Sequence, residues 1–272
     1  MSFWPFVATI ALAAETTINP FLGNLAITSP SVQPSISFGT LSQAKNPTNP
    51  LPSKHYIIAL LGDSMIDTLG SGAPDITSGL TEFFPNDSFT LLNYGVGATT
   101  IDYGITRITQ PYSYLGKEIP ALMSTHADLV VVESFGYNPY PDGVNGLVRY
   151  KKQLTKLMSL LTTTLPGTPI IMAVTIAPNS KIFADGAPGI SFSPGEKLDR
   201  VEVIQQYLKA ALQFAKDYRL PLADAYTASL TSSGDGDPMY INTTDHIHYS
   251  AIGRMLFTQK ILETIESNHL IQ

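Results

Sequence analysis

The sequence predicts an α/β protein, a three-layer α/β/α sandwich around a mainly parallel five-stranded sheet. Two observations predict it. Short, largely apolar runs alternate with longer segments whose apolar residues keep helical spacing. Strands apolar on both faces belong to parallel sheets covered by helices on both sides, and the alternation implies right-handed βαβ crossovers.

The first strand is the run Tyr56 to Leu61, ended by Gly62. Phe89 to Asn93, Leu129 to Val132 and Ile170 to Ile176 are the next three, and Leu222-Ala223 begins a fifth. Between them, Leu147, Tyr150, Leu154, Leu157, Met158 and Leu161 repeat at helical intervals. Leu198, Val201, Ile204, Leu208, Ala211, Leu212 and Ala215 do the same. A last helix after Ser250 is expected to bury Ile252, Met255, Leu256, Leu262 and Ile265.

Residues 1–53 read differently and are set apart from a domain at 54–272. They carry only Glu15 and Lys45 as charges and include Asn46-Pro47, Asn49-Pro50 and Leu51-Pro52. Each proline biases its predecessor away from helix, so the stretch reads as an extended arm or linker. Phe3 to Ala14 is apolar and ends in Ala11-Leu12-Ala13, like the end of a signal peptide, although no Lys or Arg precedes it. It is too short to span a bilayer, which takes about 20 apolar residues. A secreted or extracytoplasmic protein is the expectation, with membrane association confined to this N-terminus. Asn86-Asp87-Ser88 and Asn242-Thr243-Thr244 are sequons that matter only in a eukaryotic secretory host.

Composition excludes several classes of function. The 272 residues carry a net charge of −6 and no basic face is visible, which argues against a nucleic-acid partner. There is no cysteine, so a disulfide framework, a thiolate metal site and a cysteine nucleophile are ruled out.

In doubly wound sheets ligands sit at the carboxyl ends of the strands, which directs attention to the residues just after each strand. Gly62-Asp63-Ser64-Met65 comes after the first strand and places a hydroxyl beside a sharp turn. Asn93-Tyr94-Gly95-Val96-Gly97-Ala98-Thr99-Thr100 comes after the second; its backbone N–H groups suit a developing negative charge, and its spacing fails the dinucleotide fingerprint. Glu133-Ser134-Phe135-Gly136-Tyr137-Asn138-Pro139 comes after the third and offers the Asn138 amide. Near the C-terminus, Asp245-His246-Ile247-His248 spaces a carboxylate three residues from an imidazole, close enough for one to orient the other. A metal site made of Asp245, His246 and His248 is the competing reading of that segment.

Taken singly each block reads equally as a turn. In this order, with three of them after strands, they resemble the four motif blocks of the SGNH (GDSL-type) serine hydrolases. Gly62-Asp63-Ser64 matches the first block, Asn93 to Thr100 the second, Gly136-Tyr137-Asn138 the third and Asp245 to His248 the DxxH block. The resemblance spans about residues 54 to 266, although the four short blocks carry it. Met65 stands in place of the usual Leu, a swap of similar volume, and Pro139 stands where many members have Asp.

The resemblance implies a flavodoxin-like sheet and a serine esterase that hydrolyses carboxylic esters through an acyl-enzyme, without metal or organic cofactor. Ser64 is then the nucleophile, and Asp245 and His248 complete its triad. The oxyanion hole consists of the N–H of Ser64, the N–H of Gly97 and the side chain of Asn138, with Gly95 and Ala98 as alternative registers for the glycine. The implied substrate is a small-molecule, glycan or polymer ester with a short acyl chain. Two alternatives stay open: a carbohydrate O-acetylesterase or O-acetyltransferase on the same scaffold, and a non-catalytic surface-binding protein. Tyr137 and Tyr140 are candidates to line the cleft. The Pro- and Gly-rich stretch from Ala177 to Gly195 is either a surface loop or a mobile wall for substrate, and Asp224 reads as a turn or cap residue.

Overall fold

A computed structural model of the chain describes residues 53–271. The apolar run Phe3 to Ala14 and almost all of the Pro-rich segment lie outside the described residues.

Five parallel strands form the sheet: β1 (His55–Gly62), β2 (Ser88–Gly95), β5 (Leu129–Glu133), β6 (Ile170–Val174) and β7 (Leu222–Asp224). A separate antiparallel hairpin, β3 (Tyr112–Tyr114) and β4 (Lys117–Ile119), lies between the second and third of them in the chain. The helices are α1 (Ser64–Asp67), α2 (Pro74–Phe83), α3 (Ile101–Thr109), α4 (Val144–Thr164), α5 (Pro194–Asp217), α6 (Ala225–Ala228) and α7 (Ala251–Ser267). Each expected strand is present. The third extends to Glu133, and the fourth stops at Val174.

Strand order is β2-β1-β5-β6-β7. Counting the sheet strands along the chain, this is the flavodoxin-like order 2-1-3-4-5, whose switch point falls between the first and third strands. Here that point lies between β1 and β5, and their carboxyl ends carry Asp63-Ser64 and the loop to Asn138. Helices α3, α4 and α5 pack against one another on one face, while α2 and α7 pair on the other, giving three layers.

The sheet is held by burial on both faces. Leu60, Leu61, Val130, Val131, Val132, Ile171 and Met172 have no exposed surface. Helix α5 starts where a capping box places it: the Ser193 hydroxyl accepts from the N–H of Glu196, the Glu196 carboxylate accepts from the N–H of Ser193, and Pro194 occupies the first turn.

The helical stripes differ from expectation at several positions, Leu256 and Leu262 being only half-buried. Leu198 and Met255 are exposed rather than buried, and Ile252 is only half-buried. In α7 the buried stripe is Gly253, Phe257, Ile261, Thr264 and Ile265. The reason is local: a side chain at Gly253 would lie 2.1 Å from the carbonyl oxygen of Tyr240, so the helix approaches the preceding segment along its glycine face and turns Met255 to solvent.

Candidate active site

Ser64 opens α1 directly after β1 and is half-buried. The turn is set by Asp63, fully buried, whose Oδ1 accepts from the N–H of Met65 at 2.9 Å. Its Oδ2 accepts from Nδ2 of Asn138 at 2.8 Å, which joins the first and third blocks. That bond fixes which end of the Asn138 amide faces the site. It uses one N–H of Nδ2 and leaves the second for another acceptor. The loop that delivers Asn138 turns sharply at Phe135, whose φ of 54° is left-handed although its ring is buried.

Below this turn lies a carboxyl group that the motif blocks do not include. Glu133, the last residue of β5, has no exposed surface. Its Oε1 accepts from the Ser134 hydroxyl at 2.6 Å, and its Oε2 accepts from the N–H of Phe135 at 2.9 Å. Burial and the neighbouring charge of Asp63 push the Glu133 carboxyl well above the usual glutamate range. Burial raises Asp63 too, and the N–H of Met65 and the amide of Asn138 offset only part of that rise. Both carboxyls are raised, Glu133 the further of the two, so Glu133 keeps a proton more readily than Asp63. The signal available in the sequence was a lone acidic residue closing an otherwise apolar strand.

Arg107 is also fully buried. Its Nη2 donates to the carbonyl of Gly62 at 2.9 Å, and its guanidinium lies 5.1 Å from the Tyr103 ring centroid and 5.7 Å from that of Tyr112. A cation thus sits behind the strand end that carries Asp63 and Ser64.

The second block turns beside α1. Asn93 Nδ2 donates to the carbonyls of Ile66 and Gly70, at 2.9 and 2.8 Å, and its Oδ1 accepts from the N–H of Gly95. A Cβ on Gly95 would lie 2.1 Å from the backbone nitrogen of Asp67, so only glycine lets the two segments meet. The N–H of Gly97 is engaged as well: it donates to the Tyr114 hydroxyl at 3.2 Å, and that hydroxyl donates to Asp67 Oδ2 at 2.7 Å. The first two glycine registers are therefore occupied by internal hydrogen bonds. Ala98 has a left-handed φ of 55°, and its N–H makes no hydrogen bond among the described residues.

His248 and Asp245 meet as their spacing implied, with Nδ1 to Oδ2 at 2.8 Å. Asp245 Oδ1 also accepts from the N–H groups of Ile247 and His248. Partial burial raises the Asp245 carboxyl, but its bonds to His248 and the backbone outweigh this and hold it below the usual aspartate value. An ionised carboxylate only accepts, so Nδ1 carries the ring proton and Nε2 presents its lone pair. Nε2 is buried and has no hydrogen-bond partner among the described residues.

His246 faces elsewhere. Its Nδ1 lies 2.6 Å from the carbonyl of Asp185, and its φ of 50° turns it out of the pair. No group of three or more His, Asp or Glu side chains among the described residues is arranged to hold a metal ion.

The stretch after β6 is clamped rather than loose. Ser180 bonds Asp235 through both N–H and hydroxyl at 2.8 Å, Asn179 donates to the carbonyl of Gly236, and the N–H of Ala184 donates to the carbonyl of His246. Lys197, itself buried, reaches back to Asp185 at 2.5 Å. This segment buttresses the His248 loop, which argues against a mobile wall. Tyr137 and Tyr140 are packed, not cleft-lining: their hydroxyls donate to the carbonyl of Ile176 and to Asp102, and both rings are buried. Asp224 caps α6 by accepting from the N–H of Thr227. An open hollow of about 480 Å³ lined by Leu222, Asp224, Thr227, Lys260 and Glu263 shares no residue with the clusters around Ser64, Asn138 and His248.

No protein-family model matches the sequence, and no curated protein is similar to it in sequence. Solved structures do resemble the chain. A lipase/acylhydrolase from Enterococcus faecalis is 18% identical with a TM-score of 0.55, the match covering 78% of this chain and 96% of that one. A GDSL-like lipase from Bacteroides thetaiotaomicron is 13% identical with a TM-score of 0.56, covering 78% and 89%. An acetylxylan esterase from Geobacillus stearothermophilus is 15% identical with a TM-score of 0.52, covering 77% and 94%. At such identities the likeness is one of fold, and the described chain has the fold of the GDSL-like lipases and acylhydrolases.

Proposed function

We propose that the protein is a serine esterase that hydrolyses carboxylic esters through an acyl-enzyme on Ser64. The observation that carries this reading is the state of His248: one ring nitrogen is locked to Asp245 at 2.8 Å, and the other is buried without a partner among the described residues. An imidazole so held is a base awaiting a proton, and burying it unpartnered is costly for a merely structural residue.

Ser64 Oγ attacks the ester carbonyl while His248 Nε2 takes its proton, and Asp245 stabilises the imidazolium. The carbonyl oxygen becomes an oxyanion held by the second N–H of Asn138, the N–H of Ser64 and a backbone donor of the glycine turn. With Gly97 committed to Tyr114, the register favoured for that donor is Ala98. Collapse of the intermediate expels the alcohol, which takes the proton from His248. Water then attacks the acyl-enzyme, giving its proton to His248, and the acid leaves as Ser64 regains that proton. No step calls for a metal or an organic cofactor.

Acetyl and other short acyl esters are the substrate class put first. Two structurally similar proteins are described as acetyl xylan esterases, so sugar-linked acetyl groups join small esters as candidates. The test compares the parent with Ser64→Ala on p-nitrophenyl acetate and on a fluorophosphonate probe. Hydrolysis and labelling are both expected to vanish in the variant. Labelling of the Ser64→Ala protein at the parent's rate would place the nucleophile elsewhere.

A further inference from the structure

The hairpin β3–β4 belongs to none of the four motif blocks, yet one of its side chains joins the second block to the helix that Ser64 begins. Tyr114, at the end of β3, accepts a hydrogen bond from the N–H of Gly97 at 3.2 Å and donates one to Asp67 Oδ2 at 2.7 Å. Gly97 lies in the turn after β2, and Asp67 lies three residues beyond Ser64 in the helix that Ser64 begins. The geometry points to Tyr114 as a positioning residue that fixes the oxyanion turn relative to the nucleophile. This rests on the esterase reading and extends it to a residue outside the family's motifs.

The contacts around it argue for a built feature. A Cβ on Gly97 would lie 3.4 Å from the Tyr114 oxygen and 3.5 Å from Asp67 Oδ2, so the three groups converge closely. The tyrosine oxygen uses its lone pair and its proton in one chain, N–H to hydroxyl to carboxylate, and the last bond is charge-assisted and short. Asn93 ties the near end of the same turn to Ile66 and Gly70. Asn93 therefore secures the start of the turn and Tyr114 its far end, next to Ala98. Without the Tyr114 hydroxyl, the N–H of Gly97 loses its acceptor and Asp67 its donor, and the exposed Ala98 peptide is free to swing. A displacement of about 1 Å at such a donor costs up to about 10²-fold in rate. The ring itself is only half-buried, so the fold does not depend on the hydroxyl.

Tyr114→Phe removes the oxygen and keeps the ring. In the full chain it should lower kcat for p-nitrophenyl acetate by about 10-fold to 10²-fold, with KM changed less than about twofold, and leave the melting temperature near the parent's. Asp67→Ala should reproduce the loss, whereas Asp67→Asn, whose amide oxygen still accepts from the tyrosine, should restore most of it. The double variant Tyr114→Phe/Asp67→Ala should be no slower than the worse single variant, since both break one chain. Amide hydrogen exchange at Gly97 should also quicken in Tyr114→Phe. Tyr114→Phe with parental kcat, or losses that multiply in the double variant, would overturn the positioning role while leaving the esterase reading intact. A parent chain inactive on every ester and unlabelled by fluorophosphonate would overturn both.

Discussion

The side-chain amide of Asn138 donates to the buried carboxylate of Asp63 at 2.8 Å, so the loop after β5 is tied to the turn after β1 at the switch point of the sheet. Asp63 thereby serves two groups at once, the N–H of Met65 through one oxygen and Asn138 through the other. Asp63→Asn keeps the shape but offers a single accepting oxygen, so one donor loses its partner. We expect kcat to fall at least about tenfold and stability to drop by about 1–3 kcal/mol, the cost of leaving a buried polar group unsatisfied. Asn138→Ala should lower kcat by about 10²–10³-fold, the effect of deleting one oxyanion donor. Because Asp63 acts on the oxyanion through Asn138, the double variant should lose far less than the product of the two. Steady-state kinetics on p-nitrophenyl acetate with all four proteins checks this.

The buried pair of Glu133 and Asp63 makes stability depend on pH in a direction opposite to that of ordinary salt-bridged acids. Glu133 keeps its proton in the folded protein well above the usual 4.5, because of burial and then the charge of Asp63. In the unfolded chain it ionises near that usual value. Its stabilising effect is complete below about 4.5 and is lost as pH rises toward the raised folded value, at up to about 1.4 kcal/mol per pH unit for the one proton. Glu133→Gln cannot ionise and removes this slope. Urea midpoints measured from pH 5 to pH 9 should fall with pH in the parent and fall less in Glu133→Gln. Parallel curves for the two proteins would show that Glu133 is ionised in the fold. On the acid side Asp245 behaves in the opposite sense. Its carboxyl is depressed, so its contribution is present above the usual aspartate value of 3.8 and is lost as pH falls through the lower folded one.

Legibility in the sequence tracks the physics of burial. The central strands β1, β5 and β6 are apolar on both faces, and that pattern has no other ready explanation, so Tyr56 to Leu61 and Leu129 to Val132 were plain. The pairing of Asp245 with His248 was legible because three residues of turn geometry suffice to make it. The hairpin was not, since its strands are three residues long and its turn, Leu115-Gly116, lacks the Asn or Asp that usually announces one. Without the hairpin, the acceptor for Gly97 had no visible source, and Gly97 read as a free donor. Glu133 and Arg107 were missed because a buried charge is recognised by its partners, and those lie far off in sequence: Asp63 is 70 residues from Glu133, and Gly62 is 45 from Arg107. The Pro and Gly content of the loop after β6 left a plain surface loop and a mobile wall equally open, because its clamps come from Asp235 and His246, again distant in the chain.

Gly95 tests how closely the glycine turn must approach α1. An added methyl would lie 2.1 Å from the nitrogen of Asp67 and 2.7 Å from its Cα, both backbone atoms that cannot rotate away. Gly95→Ala must therefore push α1, and Ser64 with it, away from the turn. The expected cost is about 1–3 kcal/mol of stability, typical of overpacking. It should come with a fall in fluorophosphonate labelling rate larger than the fall in folded fraction at 25 °C. The control is Gly70→Ala, at a position where nothing lies within 4 Å but φ is 79°. It strains the backbone without moving α1 and should leave labelling near the parent's rate.

Leu115 offers a gain rather than a loss. The hairpin turn has φ of 49° at Leu115 and 73° at Gly116, both left-handed, as a two-residue type I′ turn demands. Leucine is poorly suited to the first position, since its Cβ crowds the following carbonyl at a cost of about 1–2 kcal/mol. It recovers little by burial, with 67% of its surface exposed. Asparagine adopts the left-handed conformation readily and would give the Asn-Gly pair that such turns favour. Leu115→Asn should raise stability by about 1 kcal/mol, read as a higher urea midpoint at unchanged slope. By holding Tyr114 more firmly it should leave kcat equal to the parent's or slightly above it. A lower midpoint would mean that Leu115 packs against something in solution, so that its exposed side chain contributes more than the turn strain costs.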